Sequence, residues 1–163
     1  MLVAQRLDVW PRRYRFVFDD AVAAILTPSL AWRNGAGFDL FDSRYYVDDG
    51  GKRLELKVWD RSELQRAEPA LLAEAERTGR ARWAITGGGR NYELRRSGLR
   101  PLRRLYAGAE RVGSARRQGK DATADLPGLA SAFQAFVLIV ALKGWDPFVT
   151  KAVGLTPERQ WGR

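Results

Sequence analysis

The chain has 163 residues, a net charge of +9, and neither cysteine nor histidine. Its length suits one domain around a single core. The two missing residue types exclude disulfides, thiol nucleophiles, imidazole general bases and the usual zinc sites. Arg6 and Asp8 fall within the only apolar stretch of the opening residues, so no signal-peptide core forms and a cytoplasmic location is expected.

Tyr14, Phe16 and Phe18 alternate with Arg15 and Val17, which predicts a half-buried strand over 14–18. Residues 21–30 are apolar but interrupted by Pro28, and read as a strand or a short helix. Segments 45–47 and 53–59 flank Asp48-Asp49-Gly50-Gly51, a turn composition that predicts a hairpin. On its second strand Leu54, Leu56 and Val58 share one face, and Arg53, Glu55, Lys57 and Trp59 the other.

Across 61–77, Glu63, Glu68, Glu74 and Glu76 stand among Leu and Ala, and Pro69 interrupts. The pattern admits a short helix over 70–77, and the tail of the stretch reads equally well as a strand. The period then returns to two, with Ala81, Trp83 and Ile85 opposite Arg82 and Ala84. Gly87-Gly88-Gly89 reads as a turn, and Tyr92 and Leu94 lie on the return strand of a second hairpin. Ser97-Gly98 and Pro101 mark another turn, followed by strands over 102–107 and 110–117 separated by Gly108. Turn signals recurring about every 8 to 12 residues suit a sandwich or a barrel.

Residues 126–142, LPGLASAFQAFVLIVAL, carry no charged side chain. As a helix, 132–142 is apolar on every face except at Gln134, so it must be surrounded rather than laid on a surface. A membrane could surround it, but the run is short for a span and opens with Pro127 and Gly128, which favours a buried core helix. Gly144 suits its C-cap. One face of an open sheet cannot cover such a helix; a sheet closed into a barrel around it can, and closure removes exposed edges as well. The expected fold is therefore mainly β: a closed antiparallel β-barrel enclosing a hydrophobic C-terminal helix. It forms a single domain over 1–163, with barrel strands at about 12–118, the core helix at about 126–143 and a tail over 147–163.

Trp83-Ala84-Ile85, Tyr92-Glu93-Leu94, the strands holding Leu102 and Val112, and the apolar helix with Lys143-Gly144-Trp145-Asp146 behind it carry a family resemblance. Over residues 14–147 the chain resembles the tubby C-terminal-like fold shared by tubby, phospholipid scramblase and LURP-one-related proteins, in a bacterial-type form. The resemblance implies a barrel filled by the helix, no set of catalytic residues, and a basic surface that meets phosphoinositides or membranes. The cysteines and calcium-binding segment of scramblase-like proteins have no counterpart here, so those activities are not implied.

The charge is concentrated. Residues 77–120 hold thirteen Arg and Lys against Glu93 and Glu110, an excess of +11 in a chain whose total is +9. Arg95, Arg96, Arg100, Arg103 and Arg104 flank one turn, where guanidinium groups could converge on an anion. The alternative is a solvated hairpin end whose cations pair with the acids of 63–76. Gly87-Gly88-Gly89-Arg90 lacks the Lys-Ser/Thr and the following helix of a phosphate loop and reads as a turn. Asp39, Asp42, Asp48 and Asp49 form the single carboxylate group that could serve as an acid/base pair or hold a hard cation, at positions where turns already favour Asp.

Trp10, Trp32, Trp59, Trp83, Trp145 and Trp161 could stack bases; Trp59 beside Lys57 is best placed, and core packing accounts for Trp83. Gln134 is expected to be a buried amide bonded to strand backbone. The expected function is a non-enzymatic barrel whose basic surface binds an anionic partner, lipid headgroups first. Nucleic acid and a hydrolase using carboxylates alone are the alternatives, and no cofactor or metal is expected.

Overall fold

The computed structural model describes residues 1–7, 13–19, 21–28, 35–60, 69–146 and 149–150. Their strands are β1 (Leu2–Arg6), β2 (Tyr14–Phe18), β3 (Val22–Pro28), β4 (Gly35–Leu40), β5 (Ser43–Asp49) and β6 (Arg53–Asp60), then β7 (Ala70–Gly79), β8 (Arg82–Gly87), β9 (Arg90–Arg96), β10 (Leu102–Ala107), β11 (Glu110–Gln118) and β12 (Asp121–Asp125). The helix α1 (Ser131–Trp145) follows. Each strand pairs antiparallel with its neighbour in sequence. The barrel closes where β1 meets β12, through Leu2↔Ala124, Val3↔Thr123 and Ala4↔Ala122.

The period of two sorts the side chains. Tyr14, Phe16, Leu54, Leu56, Ile85 and Leu94 point inward and are buried. The expected enclosed helix is present: residues 135–142, eight in succession, are each at most 2% exposed. They face β1, β11 and β12 on one wall and β7 and β8 on the other. The walls make room with small inward residues, Ala4, Ala73, Ala75, Ala115, Ala122 and Ala124, all buried. Bulky helix residues against small wall residues give the interdigitation that dense packing needs. Among the described residues no helix is long and apolar enough to cross a membrane.

Several boundaries differ from expectation. Residues 70–77 belong to strand β7 rather than a helix, and 21–30 resolve to strand β3. β1, β4 and β12 were not expected, so the barrel runs from Leu2 to Asp125 rather than over 12–118. The helix starts at Ser131 rather than at 126, because Leu126 to Ala130 form the turn that carries the chain from β12 into the barrel. Gly113 makes room for that turn, since a Cβ there would lie 2.6 Å from the Asp125 carbonyl and 2.7 Å from Leu126 Cδ2. Gln134 is half-buried and its Nε2 donates to the carbonyl of Leu129 at 2.7 Å, in the turn rather than on a strand. Gly144 is not the cap: the helix continues to Trp145, and the Asp146 N–H donates to the Leu142 carbonyl. Gly144 leaves room for the Arg103 guanidinium, since a Cβ there would lie 2.8 Å from its Nη2 and the side chain would have to shift. Of the tail, only Val149 and Thr150 are described, and both are buried.

Candidate anion-binding surface

The charges on the outer wall of β5–β7 are matched. Arg53 Nη2 donates to Glu74 Oε1 at 2.6 Å, and Lys57 Nζ donates to Asp48 Oδ2 at 2.6 Å. The hydrogen bond to Glu74 raises the Arg53 pKa, and that to Asp48 raises the Lys57 pKa against the opposing effect of partial burial. This wall presents little net charge to a partner.

The five arginines grouped by sequence do not converge. The antiparallel register places Arg103 opposite Arg96 and Arg104 opposite Arg95, so alternate residues go to opposite sides of the barrel wall. Arg95 points outward; its Nε is 2.7 Å from Glu93 Oε1, which also meets Arg82 at 3.1 Å, and its guanidinium covers the Tyr106 ring at 4.4 Å. Arg96 and Arg100 are exposed about the 97–101 turn, with Arg96 Nε donating to the Gly98 carbonyl at 3.1 Å.

Arg103 turns inward, 9% exposed, toward the C-terminal end of α1. Its Nη1 donates to the Ala81 carbonyl at 3.4 Å, and its Cζ lies 5.8 Å from the centre of the Trp145 ring. Burial, and then the charge of Arg96, lower its pKa from the ordinary arginine value. Arg117 joins it from β11, with Nη1 donating to the Trp145 carbonyl at 3.0 Å. Two cations against the negative end of the helix dipole stabilise that end. The same mouth of the barrel holds Tyr14, whose hydroxyl donates to Asp146 Oδ2 at 2.7 Å. Buried Asp49 there accepts from Lys143 and Thr150. Arg103 and Arg117 are thus built into the fold.

Arg104 alone of the five lies in an outward concavity, a cavity of about 330 Å³ whose other charged linings are Arg111, Arg116 and Asp125, with Ser114 between them. Ser114 is the register partner of both Arg104 and Asp125, so it lies at the middle of the groove. Among the described residues, none of the three arginines is within ion-pair distance of a carboxylate. Three guanidinium groups against one carboxylate leave the groove with a net charge of about +2, and forked donors beside a hydroxyl are the chemistry that holds phosphate oxygens.

Arg111 and Arg116 were missed in the sequence; alternation was a usable signal for Arg116 alone, which shares the face of Ser114, although the register places Arg116 against Leu102 and Arg111 against Tyr106, both on the face that carries Arg104. A bulge between Leu105 and Tyr106 turns Arg111 into the groove.

The four aspartates do not gather. Asp39 is 3.9 Å from Arg44, Asp48 holds Lys57, Asp49 holds Lys143, and Asp42 is exposed in the turn between β4 and β5. Among the described residues no group of three carboxylates could hold a metal ion. Gly87 to Arg90 form a hairpin turn, with Gly88 and Gly89 at φ of 59° and 73°. Trp83 is core, Trp145 closes the helix end, and Trp59 packs edge-on to Tyr46 at 5.7 Å. Trp10, Trp32, Trp161, Glu63 and Glu68 lie outside the described residues. No protein-family model, curated protein or solved structure matches the chain.

Proposed function

We propose that this chain is a non-enzymatic barrel of the tubby C-terminal-like kind, and that the outer wall of β10–β12 binds an anionic partner, the phosphate-bearing headgroups of a membrane surface. The observation that carries this reading is the groove of Arg104, Arg111 and Arg116, whose cations have no carboxylate partner among the described residues, on a barrel whose opposite wall is charge-matched. The closed antiparallel sheet and its enclosed C-terminal helix support the family reading. Dispersal of Asp39, Asp48 and Asp49 among separate cations supports a binding role over carboxylate catalysis. Headgroups are favoured over nucleic acid because Tyr106, the aromatic residue beside the groove, is already covered by Arg95 at 4.4 Å and offers no open stacking platform.

The test is sedimentation with vesicles of phosphatidylcholine alone or mixed with phosphatidylserine. The protein should pellet only with the anionic vesicles, and salt should weaken binding steeply, because each basic residue near such a surface contributes on the order of 1 kcal/mol through a screened attraction. Arg104→Glu or Arg116→Glu should abolish pelleting, and Arg95→Glu should reduce it far less because Glu93 already neutralises that side chain. Equal pelleting of wild type and Arg104→Glu would overturn the assignment, and tighter retention on single-stranded nucleic acid than on lipid would replace it with the nucleic-acid reading.

A further inference from the structure

A second cavity opens at the other end of the barrel, where α1 begins. A helix of 15 residues rises about 22 Å, so this cavity is well separated from the mouth that holds Arg103 and Arg117. It measures about 430 Å³, within the size range of small-molecule sites. Its lining is dominated by Tyr45, Leu56, Leu72, Tyr92, Leu129 and Phe133. Tyr92 and Phe133 form one continuous aromatic wall, with ring centres 5.3 Å apart. Phe133 is fixed by Gly87, where a Cβ would come within 2.6 Å of its ring, so the hairpin is shaped to admit that side chain. At the mouth, Leu72 is 43% exposed.

One charged side chain lines this cavity, Arg90. It lies on the hairpin above the aromatic wall, its Cζ 5.8 Å from the centre of the Tyr92 ring. Among the described residues no carboxylate stands within ion-pair distance of it. An apolar cavity gains by taking apolar surface out of water. A lone cation at its rim then selects what the apolar body must carry, a negative head that forms charge-assisted hydrogen bonds with the guanidinium.

We infer that this cavity binds a single-chain amphiphile with an anionic head, a fatty-acid carboxylate, its chain against Leu129, Tyr92 and Phe133 and its carboxylate at Arg90. The site is independent of the β10–β12 groove: that groove takes a headgroup from outside, whereas this one takes the chain.

Decanoate and decylamine below their micelle concentrations, and decanol below its solubility limit, test the inference by calorimetric titration of the full chain. Decanoate should bind saturably at one per chain and raise the melting temperature with its concentration, as any ligand selective for the folded state does. Decanol should bind about tenfold more weakly, the factor that one charge-assisted hydrogen bond of about 1.4 kcal/mol confers, and decylamine should not bind. Arg90→Glu, at an exposed position, should lose decanoate and gain decylamine. Ala130→Trp, at the exposed cavity edge, should exclude both decanoate and decanol. Arg104→Glu should leave decanoate binding unchanged, which separates this site from the vesicle-binding surface. The inference is overturned by absence of saturable decanoate binding, by equal affinity for decanoate and decylamine, or by decanoate binding that survives Arg90→Glu.

Discussion

An aspartate moved along residues 137–140 of α1 tests enclosure directly. Successive residues of an α-helix lie about 100° apart, so these four positions sample every side of the helix. On a helix laid against an open sheet, at least one of them would face water and tolerate a charge. Here Val137, Leu138, Ile139 and Val140 are each 0% exposed. Each substitution forfeits about 1.5–3 kcal/mol of apolar burial and adds about 1–3 kcal/mol or more for a polar group buried without partners. The sum, roughly 3–6 kcal/mol, is a large share of the 5–15 kcal/mol that holds a typical domain together. For a chain of this size, each kcal/mol corresponds to about 2–4 °C in melting temperature, so every variant should melt at least about 6 °C lower and some should not fold at all. Far-UV circular dichroism during heating, with urea unfolding as a second measure, reads the effect. A single position among the four at which Asp leaves the melting temperature unchanged would refute enclosure, whatever the other three do.

Arg103 and Arg104 are adjacent in sequence and should respond differently. Arg103→Ala removes a buried side chain packed at the end of α1 and should cost about 1–3 kcal/mol, while Arg104→Ala should stay within about 0.5 kcal/mol and show its effect in vesicle pelleting instead. Urea midpoints measure the difference; equal midpoints would return Arg103 to the surface. For Lys57, the hydrogen bond to Asp48 raises the folded-state pKa above the ordinary lysine value. Its contribution to stability is therefore complete below that ordinary value and is lost as pH rises through the folded one. Wild type should exceed Lys57→Met in stability by a constant margin through neutral pH, and as pH rises the margin should shrink when the solution becomes strongly alkaline; a margin that fell between pH 5 and 8 would contradict the pairing.

How much of the fold was legible depended on what lined the barrel. Where large apolar residues alternate with polar ones, as at Tyr14-Arg15-Phe16-Val17-Phe18 or around Trp83 and Ile85, the period alone located the strand. Where the interior needs small residues to admit the helix, the signal faded. In β7 the inward residues are Ala73 and Ala75 and the outward ones Glu74 and Glu76, all strong helix formers that occupy a strand because the closed sheet requires one there. β12 reads DATAD, with only Ala122 and Ala124 facing the core. The greasy helix and its alanine-lined walls are complementary, so the feature that announced the fold also concealed two of the strands that build it.

The site was legible to a different degree, because a cluster in sequence is not a cluster in space on a strand. Five arginines about one turn suggested a single convergent surface, yet β9 and β10 send Arg96 and Arg103 to the opposite side of the wall from Arg95 and Arg104. Of the outward pair, Arg95 is spent on Glu93 and Tyr106, leaving Arg104 as the only one of the five in the groove. Its companions come from the next strand at register positions fixed by the pairing of β10 with β11, with Arg111 turned in by the bulge. Charge density along 77–120 therefore pointed to the strands that carry the proposed groove, but only the pairing register could say which guanidinium groups support the helix and which lie on the outer face without a carboxylate partner among the described residues.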